Sequence, residues 1–328
     1  MKPLQLGILS VSNFFQKKIA IPVQKSPMIQ LAAIASRTGE NAKQVAEKFD
    51  IPKAYGSYEA LLSDETIEAV YLPLPNHLHA EWIKKTADAG KHILCEKPIA
   101  LSAEEARESI DYAHSKGVKV MEAFMYRFHP QWQHVKELIN MQEIGKPLAV
   151  HCFFGFNNTD PNNIRNIKEA GGGAILDIGC YAVSSSRFVL GAEPQRVVSL
   201  VHRDASFDTD VLTSGILDFG TVRATFTVST QVFPYQRVVV YGSGGNITVE
   251  VPFNAYSDVE LLVTVTTSVG TREVWLPPTD QYILEFEAFA EAILQNKPVP
   301  TPPEDAINNM KVLDALFRSE QSGNWEKV

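Results

Sequence analysis

The chain has 328 residues, 45% of them apolar and 21% charged, which suits a soluble globular protein with room for two domains. A net charge of −8 and a pI near 5.6, without any block of like charges, exclude nucleic acid or an anionic membrane as the main partner and leave a small molecule as the expected ligand. Cys95, Cys152 and Cys180 form no Cys-x-x-Cys pair and have no histidine at ligand spacing, so neither a disulfide framework nor a metal site is expected.

The first 121 residues alternate short apolar runs with longer helical patterns: Leu4–Leu9 then Phe14–Gln24, Gln30–Ala35 then Asn41–Phe49, Ala69–Leu72 then Leu78–Ala89, His92–Cys95 then Ala103–Lys116, and finally Val118–Met121. Strict alternation implies βαβ units and a parallel, doubly wound sheet. Ser102-x-x-Glu105 reads as a capping box, and Gly90 and Gly117 stand just past helices, where a left-handed residue is wanted.

Beyond residue 123 the texture changes. A helix over His129–Met141 precedes a strand at Pro147–Phe156, a polar loop Asn157–Asn166 and a glycine-led helix Gly173–Leu190. From Val197 to Trp275 strand follows strand (Ser214–Phe219, Val222–Thr230, Arg237–Tyr241, Ile247–Val251, Glu260–Val265, Arg272–Leu276), which predicts a large, mainly antiparallel sheet. Helices at Tyr282–Gln295 and Glu304–Ser319 flank the Pro298–Pro303 stretch that no helix would cross. The expected fold class is α/β: a nucleotide-binding domain over residues 1–122 and a second α/β domain over 123–328, whose last helix is free to pack back on the first.

Five motifs carry chemistry. Glu96-Lys97-Pro98 closes a strand, and a lysine at a strand's carboxyl end sits where open α/β sheets place their sites; partial desolvation there lets it exchange protons near neutrality, whereas the plain alternative is a surface lysine. The first strand-to-helix turn, Ser10-Val11-Ser12-Asn13-Phe14-Phe15, lacks every glycine of the G-x-G-x-x-G fingerprint. The serine hydroxyls and Asn13 can still donate hydrogen bonds to a nucleotide, or simply cap the helix. Ser36-Arg37-Thr38 ends the second strand, where an acid would select NAD; arginine and hydroxyls favour a 2′-phosphate, hence NADP, with NAD as the alternative and a solvated arginine as the plain reading. Leu72-Pro73-Leu74-Pro75-Asn76-His77-Leu78-His79 lies at the same sheet edge; His79 reads as a capping or packing residue. In the second domain, Asp177 and Tyr181 follow Gly171-Gly172-Gly173 four residues apart, on one face if the segment is α-helical; they serve either a cleft or helix dipole and packing.

Taken together and in order, Glu96-Lys97-Pro98, Pro75-Asn76-x-x-His79, Met125-Tyr126-Arg127-Phe128-His129-Pro130, Gly171–Tyr181 and IPKAYGSYEAL at Ile51–Leu61 resemble the Gfo/Idh/MocA oxidoreductase family over nearly the whole chain. The branch resembled is that of glucose-fructose oxidoreductase, NADP-dependent D-xylose dehydrogenase and dimeric dihydrodiol dehydrogenase. The resemblance implies a Rossmann domain followed by a substrate-binding domain whose open sheet makes a homodimer or higher homo-oligomer. It also implies Lys97 as catalytic lysine, Tyr181 as proton donor or acceptor, Asp177 as its cleft partner, Glu96 as a shaper of the lysine loop, a cis bond before Pro98, and Arg165 reaching toward cofactor or substrate.

On this reading Ser10, Ser12, Asn13, Phe14, Ser36, Arg37, Leu72, Pro73, Asn76, His79, Glu96, Lys97 and Arg165 face the cofactor. Lys97, Arg127, Phe156, Asp160, Asp177 and Tyr181 face a sugar, polyol or trans-diol substrate. Hydride moves between nicotinamide C4 and a carbinol or carbonyl carbon, with Tyr181 and Lys97 handling the proton and Tyr181, its pKa lowered by the lysine, the expected base. The alternatives are a ketoreductase for a nucleotide-linked sugar and a non-catalytic NADP-binding sensor. Met1–Leu9 is too short for a signal h-region and no run approaches the ~18 apolar residues of a membrane span, so a cytoplasmic location is expected.

Overall fold

The computed structural model describes residues 2–328, which divide into two compact units: one holds the residues up to Phe124 together with Tyr282–Ile307, the other Met125–Gln281 and Asn308–Val328. Where the sequence suggests a single boundary after residue 122, the chain therefore leaves the first unit at Phe124 and returns to it for the segment Tyr282–Ile307.

The first unit is built on strands β1 (Leu4–Leu9), β2 (Ile29–Ala35), β3 (Lys53–Tyr55), β4 (Ala69–Leu72), β5 (His92–Glu96) and β6 (Val120–Ala123), all parallel, in the order β3-β2-β1-β4-β5-β6. This is the doubly wound dinucleotide-binding order, with its switch point between β1 and β4. The connections carry α1 (Ala20–Gln24), α2 (Gly39–Lys48), α3 (Tyr58–Leu62), α4 (His79–Asp88) and α5 (Ala103–Ser115). Apolar side chains fill β1, β4 and β5 on both faces, as a sheet sandwiched by helices requires. Ser102 Oγ accepts from the Glu105 amide at 3.2 Å while the Glu105 carboxylate reaches back to the Leu101 amide at 3.1 Å, one residue beyond the cap itself. Gly90 and Gly117 take the left-handed conformation expected of them, at φ 68° and 71°.

In the second unit nine strands form one sheet, in the order β14-β13-β12-β11-β7-β10-β9-β8-β15. They are β7 (Pro147–Asn157), β8 (Arg196–Arg203), β9 (Asp210–Asp218), β10 (Arg223–Ser229), β11 (Gln231–Gly242), β12 (Gly245–Val249), β13 (Leu261–Thr267), β14 (Gly270–Leu276) and β15 (Glu326–Lys327). Every pairing is antiparallel except β7 with β10. Helices α6 (Pro130–Asn140) and α7 (Cys180–Leu190) belong to this unit, α8 (Gln281–Leu294) almost wholly to the first, and α9 (Pro303–Ser322) passes from the first to the second. Its C-terminal part lies along β8, where Ser199 Oγ donates to the Leu316 carbonyl at 2.7 Å and both carboxylate oxygens of Glu320 accept from Arg203.

Three differences from the sequence reading have physical causes. β3 and α3 are absent from it because Lys53-Ala54-Tyr55 is a half-exposed edge strand of three residues with no hydrophobic period. β11 starts six residues before the expected Arg237 because Pro234 sits in an irregular stretch where the register shifts between Gln231 and Tyr235. The helices expected at Phe14–Gln24 and Gly173–Leu190 both begin as π-helix, over Phe15–Ile19 and Ile175–Gly179. Among the described residues no helix is long and apolar enough to cross a membrane.

Candidate active site

In the first unit the parallel sheet brings the ends of β1, β2, β4 and β5 to one edge, and Lys97 follows β5 there, half-buried. Three side chains fix its loop. Tyr71 of β4 donates its hydroxyl to Glu96. Glu122 of β6 accepts from the Ile99 amide at 2.8 Å. The fully buried His79 ring bridges the two loops, with Nδ1 2.8 Å from the Pro98 carbonyl oxygen and Nε2 2.9 Å from that of Leu74. Burial holds the His79 pKa down to about 4 against both carbonyls, so at neutral pH the ring carries one proton and donates to one of them. The Lys97–Pro98 peptide is cis, as the resemblance implied. Burial beside the Glu96 charge pushes the carboxyl of Glu285, on α8, well above its usual range.

The glycine-free first turn keeps a glycine's backbone. Ser10 has φ 142°, a conformation that favours glycine, so the first fingerprint position retains its geometry without its residue. Ser12 Oγ accepts from the Phe15 amide at 3.1 Å and caps the helix, while Asn13 is exposed. Phe14 stands edge-on to Tyr282 with ring centroids 5.7 Å apart, and Phe15 is buried against Phe49. At the end of β2, Ser36 is buried and Arg37 and Thr38 are exposed. Tyr58, at the start of α3, is half-buried near Ser10 and Arg37; burial raises its pKa, while the Ser10 hydroxyl and the Arg37 charge oppose the rise. An exposed guanidinium and two hydroxyls at a sheet edge with no carboxylate in the Ser36–Thr38 turn fit a nucleotide phosphate. Leu72 and Pro73 are buried and Asn76 is half-buried on the neighbouring loop.

In the second unit Arg165 and Asp177 form an ion pair, Nε to Oδ2 at 2.7 Å, and the guanidinium lies 5.8 Å from the Phe156 ring centroid. The glycine run makes this approach feasible. A Cβ on Gly172 would come within 2.5 Å of the Arg165 carbonyl oxygen, and one on Gly173, at φ 116°, would overlap the Asp210 carboxylate. Tyr181 donates to Met125 Sδ at 3.4 Å and sits among Tyr126, Phe154 and Phe253, with ring centroids 5.2 to 6.0 Å away. Arg127 is buried one layer behind, its Nη2 donating to Ser184 Oγ at 2.7 Å and its guanidinium 5.3 Å from the Phe188 ring. Asp160 is exposed on the polar loop, where it accepts from the Asn162 amide at 2.9 Å and its carbonyl accepts from Asn166.

The structure thus gathers Arg165, Asp177 and Phe156 in one cluster, seats Tyr181 in an aromatic nest with Arg127 behind it, and leaves Asp160 out on the loop. Sequence reasoning missed Tyr58, Tyr71, Glu122 and Asp210. Ser57, which caps α3 by accepting from the Ala60 amide, was a signal for a helix start beside Tyr58, and Asp210 was an acid opening an apolar strand.

The oxidoreductase family with an NAD-binding Rossmann fold matches residues 4–124, and the GFO/IDH/MocA C-terminal domain matches residues 132–248. The chain is 39% identical to an uncharacterized oxidoreductase of Rhizobium meliloti over 100% of both chains. It is 37% identical to a D-xylose 1-dehydrogenase (NADP(+)) of Haloferax volcanii over 98% of each. A solved 3-ketoreductase from Actinomadura kijaniata, in complex with NADP and TDP-benzene, superposes with a TM-score of 0.92 at 28% identity, covering 97% of this chain and 98% of that one. With both family domains matched in order and similarity running the length of the chain, this protein belongs to the Gfo/Idh/MocA family and is an NAD(P)-binding oxidoreductase.

Proposed function

We propose that the protein is an NADP-dependent dehydrogenase or reductase acting on a carbinol or carbonyl carbon of a sugar, polyol or trans-diol. Bound NADP supplies hydride acceptance and donation at nicotinamide C4; the chain supplies binding, orientation and the proton. The observation that carries this reading is the loop of Lys97, pinned by Tyr71, His79 and Glu122 at the carboxyl edge of a doubly wound sheet. Lys97 and Tyr181 are the proton-transfer groups: the hydroxyl proton leaves as the alcohol is oxidised and returns in the reverse direction. Arg165 pairs with Asp177 beside Phe156 on the substrate side, and the buried Arg127 supports the Tyr181 nest from behind through Ser184. Ser10, Ser12, Asn13, Phe14, Ser36, Pro73 and Asn76 contact the cofactor, and Arg37 with Tyr58 takes its 2′-phosphate end.

Fluorescence titration with NADPH and NADH, followed by turnover assays on aldoses and diols, tests this. Micromolar NADPH binding, much weaker NADH binding and turnover of a free sugar or diol are expected. Loss of all nucleotide binding would overturn the reading. The high similarity in shape to the 3-ketoreductase favours one other substrate class, a nucleotide-linked ketosugar. Activity that requires the nucleotide group would select it.

The reading includes a homodimer through the open face of the nine-stranded sheet. Leu200 and Phe233 are 79% and 83% exposed on β8 and β11, and Leu148, Leu212, Ile216, Tyr235 and Tyr241 are exposed as well, more apolar surface than a solitary subunit leaves uncovered. Light scattering at twice the subunit mass is the expected result. The three free thiols, all buried, suit a reducing cytoplasm.

A further inference from the structure

Asp210 opens β9 with a side chain only 2% exposed, and its carboxylate is turned into the backbone that leads to Asp177 and Tyr181. Oδ2 accepts from the Ile175 amide at 2.6 Å. Oδ1 occupies the space in front of Gly173, whose φ of 116° only glycine adopts without strain. Glycine and acid are therefore two halves of one contact. The helical segment needs such a partner, because Ala174 precedes Ile175 and offers its first turn no side-chain acceptor. The acceptor that a serine or aspartate cap would supply locally comes instead from a strand 35 residues further along the chain.

We infer that Asp210 is a positioning residue of the reaction: its carboxylate fixes the first turn of the helix from which Asp177 and Tyr181 project, and so sets where those two side chains stand. The inference rests on the roles proposed above for Asp177 and Tyr181. Asp177 lies within the π turn that Asp210 anchors, its own amide donating to the Gly173 carbonyl at 3.1 Å, and Tyr181 follows in the first turn of α7. A shift of the Ile175 amide is thus transmitted to both through continuous helix.

The surroundings keep this anchor in place whether or not it is ionised. Burial pushes the Asp210 carboxyl up to about 7, against the Ile175 amide and the Arg203 charge, with Glu320 acting in the same direction as burial. Arg203 is itself held by Glu320 on α9 and by the Asp208 carbonyl oxygen, while the Asp208 carboxylate pairs with Lys168. Either form of the acid keeps an oxygen able to accept from Ile175, and so does asparagine.

The test compares Asp210→Asn and Asp210→Ala with the wild-type enzyme by amide hydrogen exchange, NADPH titration and turnover. In Asp210→Ala the amides of residues 175–181 should exchange faster and kcat should fall roughly 10- to 100-fold, while the NADPH Kd stays within twofold. Asp210→Asn should restore slow exchange and most of kcat. Should Asp210→Ala fail to fold, Asp210→Ser, too short to reach the Ile175 amide, takes its place. A folded Ala or Ser variant with wild-type kcat, or with unchanged exchange over 175–181, would overturn the inference. Absence of turnover in the wild type would instead sink the functional reading, and the exchange comparison alone would then decide whether Asp210 anchors the helix.

Discussion

The loop that carries Lys97 and the turn that leads into Tyr181 are anchored by different means. Around Lys97 the backbone is held from outside by side chains: Tyr71 on Glu96, Glu122 on the Ile99 amide, and His79 between the carbonyls of Pro98 and Leu74. Before Tyr181 the chain is held mainly by close approaches that only glycines permit, Gly172 against the Arg165 carbonyl and Gly173 against the Asp210 carboxylate. A loop pinned by side chains can be loosened one clamp at a time and responds to pH where a clamp titrates. A turn made by omitting side chains fails when any atom is added. The two therefore differ in how they break.

Removing the two side chains proposed to exchange the proton should have the largest effect and should be the same on both sides. Lys97→Ala and Tyr181→Phe should each lower kcat by about 10²–10⁴ while NADPH affinity is largely kept. Near-normal turnover in both would remove the two residues from the chemistry. The next largest effect separates the constructions. Gly172→Ala drives a methyl group to 2.5 Å from the Arg165 carbonyl oxygen and 2.8 Å from that of Ile167, both backbone atoms that cannot swing aside, so it should cost roughly 1–3 kcal/mol in denaturant unfolding. An unchanged midpoint would mean that the turn is softer than its packing implies.

How much of this was legible follows the same division. Glycines are visible in a sequence, so Gly171-Gly172-Gly173 and the glycines after helices announced their positions, and the apolar runs of β1, β4 and β5 announced a parallel sheet. Clamps are not visible. Tyr71 lies 25 residues from Glu96 and Glu122 lies 23 from Ile99, and only the β4-β5-β6 pairing makes neighbours of them. The π turns at Phe15–Ile19 and Ile175–Gly179 were equally hidden, because one extra residue in a helical turn leaves no mark on hydrophobic spacing. Asp177 and Tyr181 were expected on one face of an α-helix. In the structure Asp177 lies in a π turn and pairs with Arg165, while Tyr181 joins an aromatic nest.

A smaller effect should mark the titrating clamp. His79→Leu leaves the carbonyl that accepted from the ring without a donor, for about 1–2 kcal/mol at neutral pH. The folded ring titrates near 4 and the unfolded one near 6.5, so the native protein binds fewer protons in between. The stability linked to His79 is therefore fully present above about pH 6.5 and is lost as pH falls toward 4. Burial holds His129 down to about 4 too, and it adds to the same slope. Thermal unfolding between pH 7.5 and 4.5 should show the wild type losing stability and His79→Leu losing less. Parallel curves would mean that His79 does not titrate in this window.

The smallest effect is expected where side-chain and backbone construction meet in one residue. Ser10 holds φ 142°, which strains a serine by about 1 kcal/mol or more, while its hydroxyl lies near Tyr58, itself within reach of the Arg37 charge. Ser10→Gly relieves the strain but frees the unfolded chain by about 0.5–1 kcal/mol. These changes nearly cancel, so the melting temperature should move by little. Nucleotide binding should not be spared in the same way, because the Tyr58 hydroxyl loses its polar neighbour near Arg37: the NADPH Kd should rise several-fold and the NADH Kd hardly at all. Tyr58→Phe should give the same pattern through its other partner. If Ser10→Gly instead tightened NADPH binding, the serine would be a departure from the glycine fingerprint that the cofactor merely tolerates, and Arg37 alone would account for the preference between the two nucleotides.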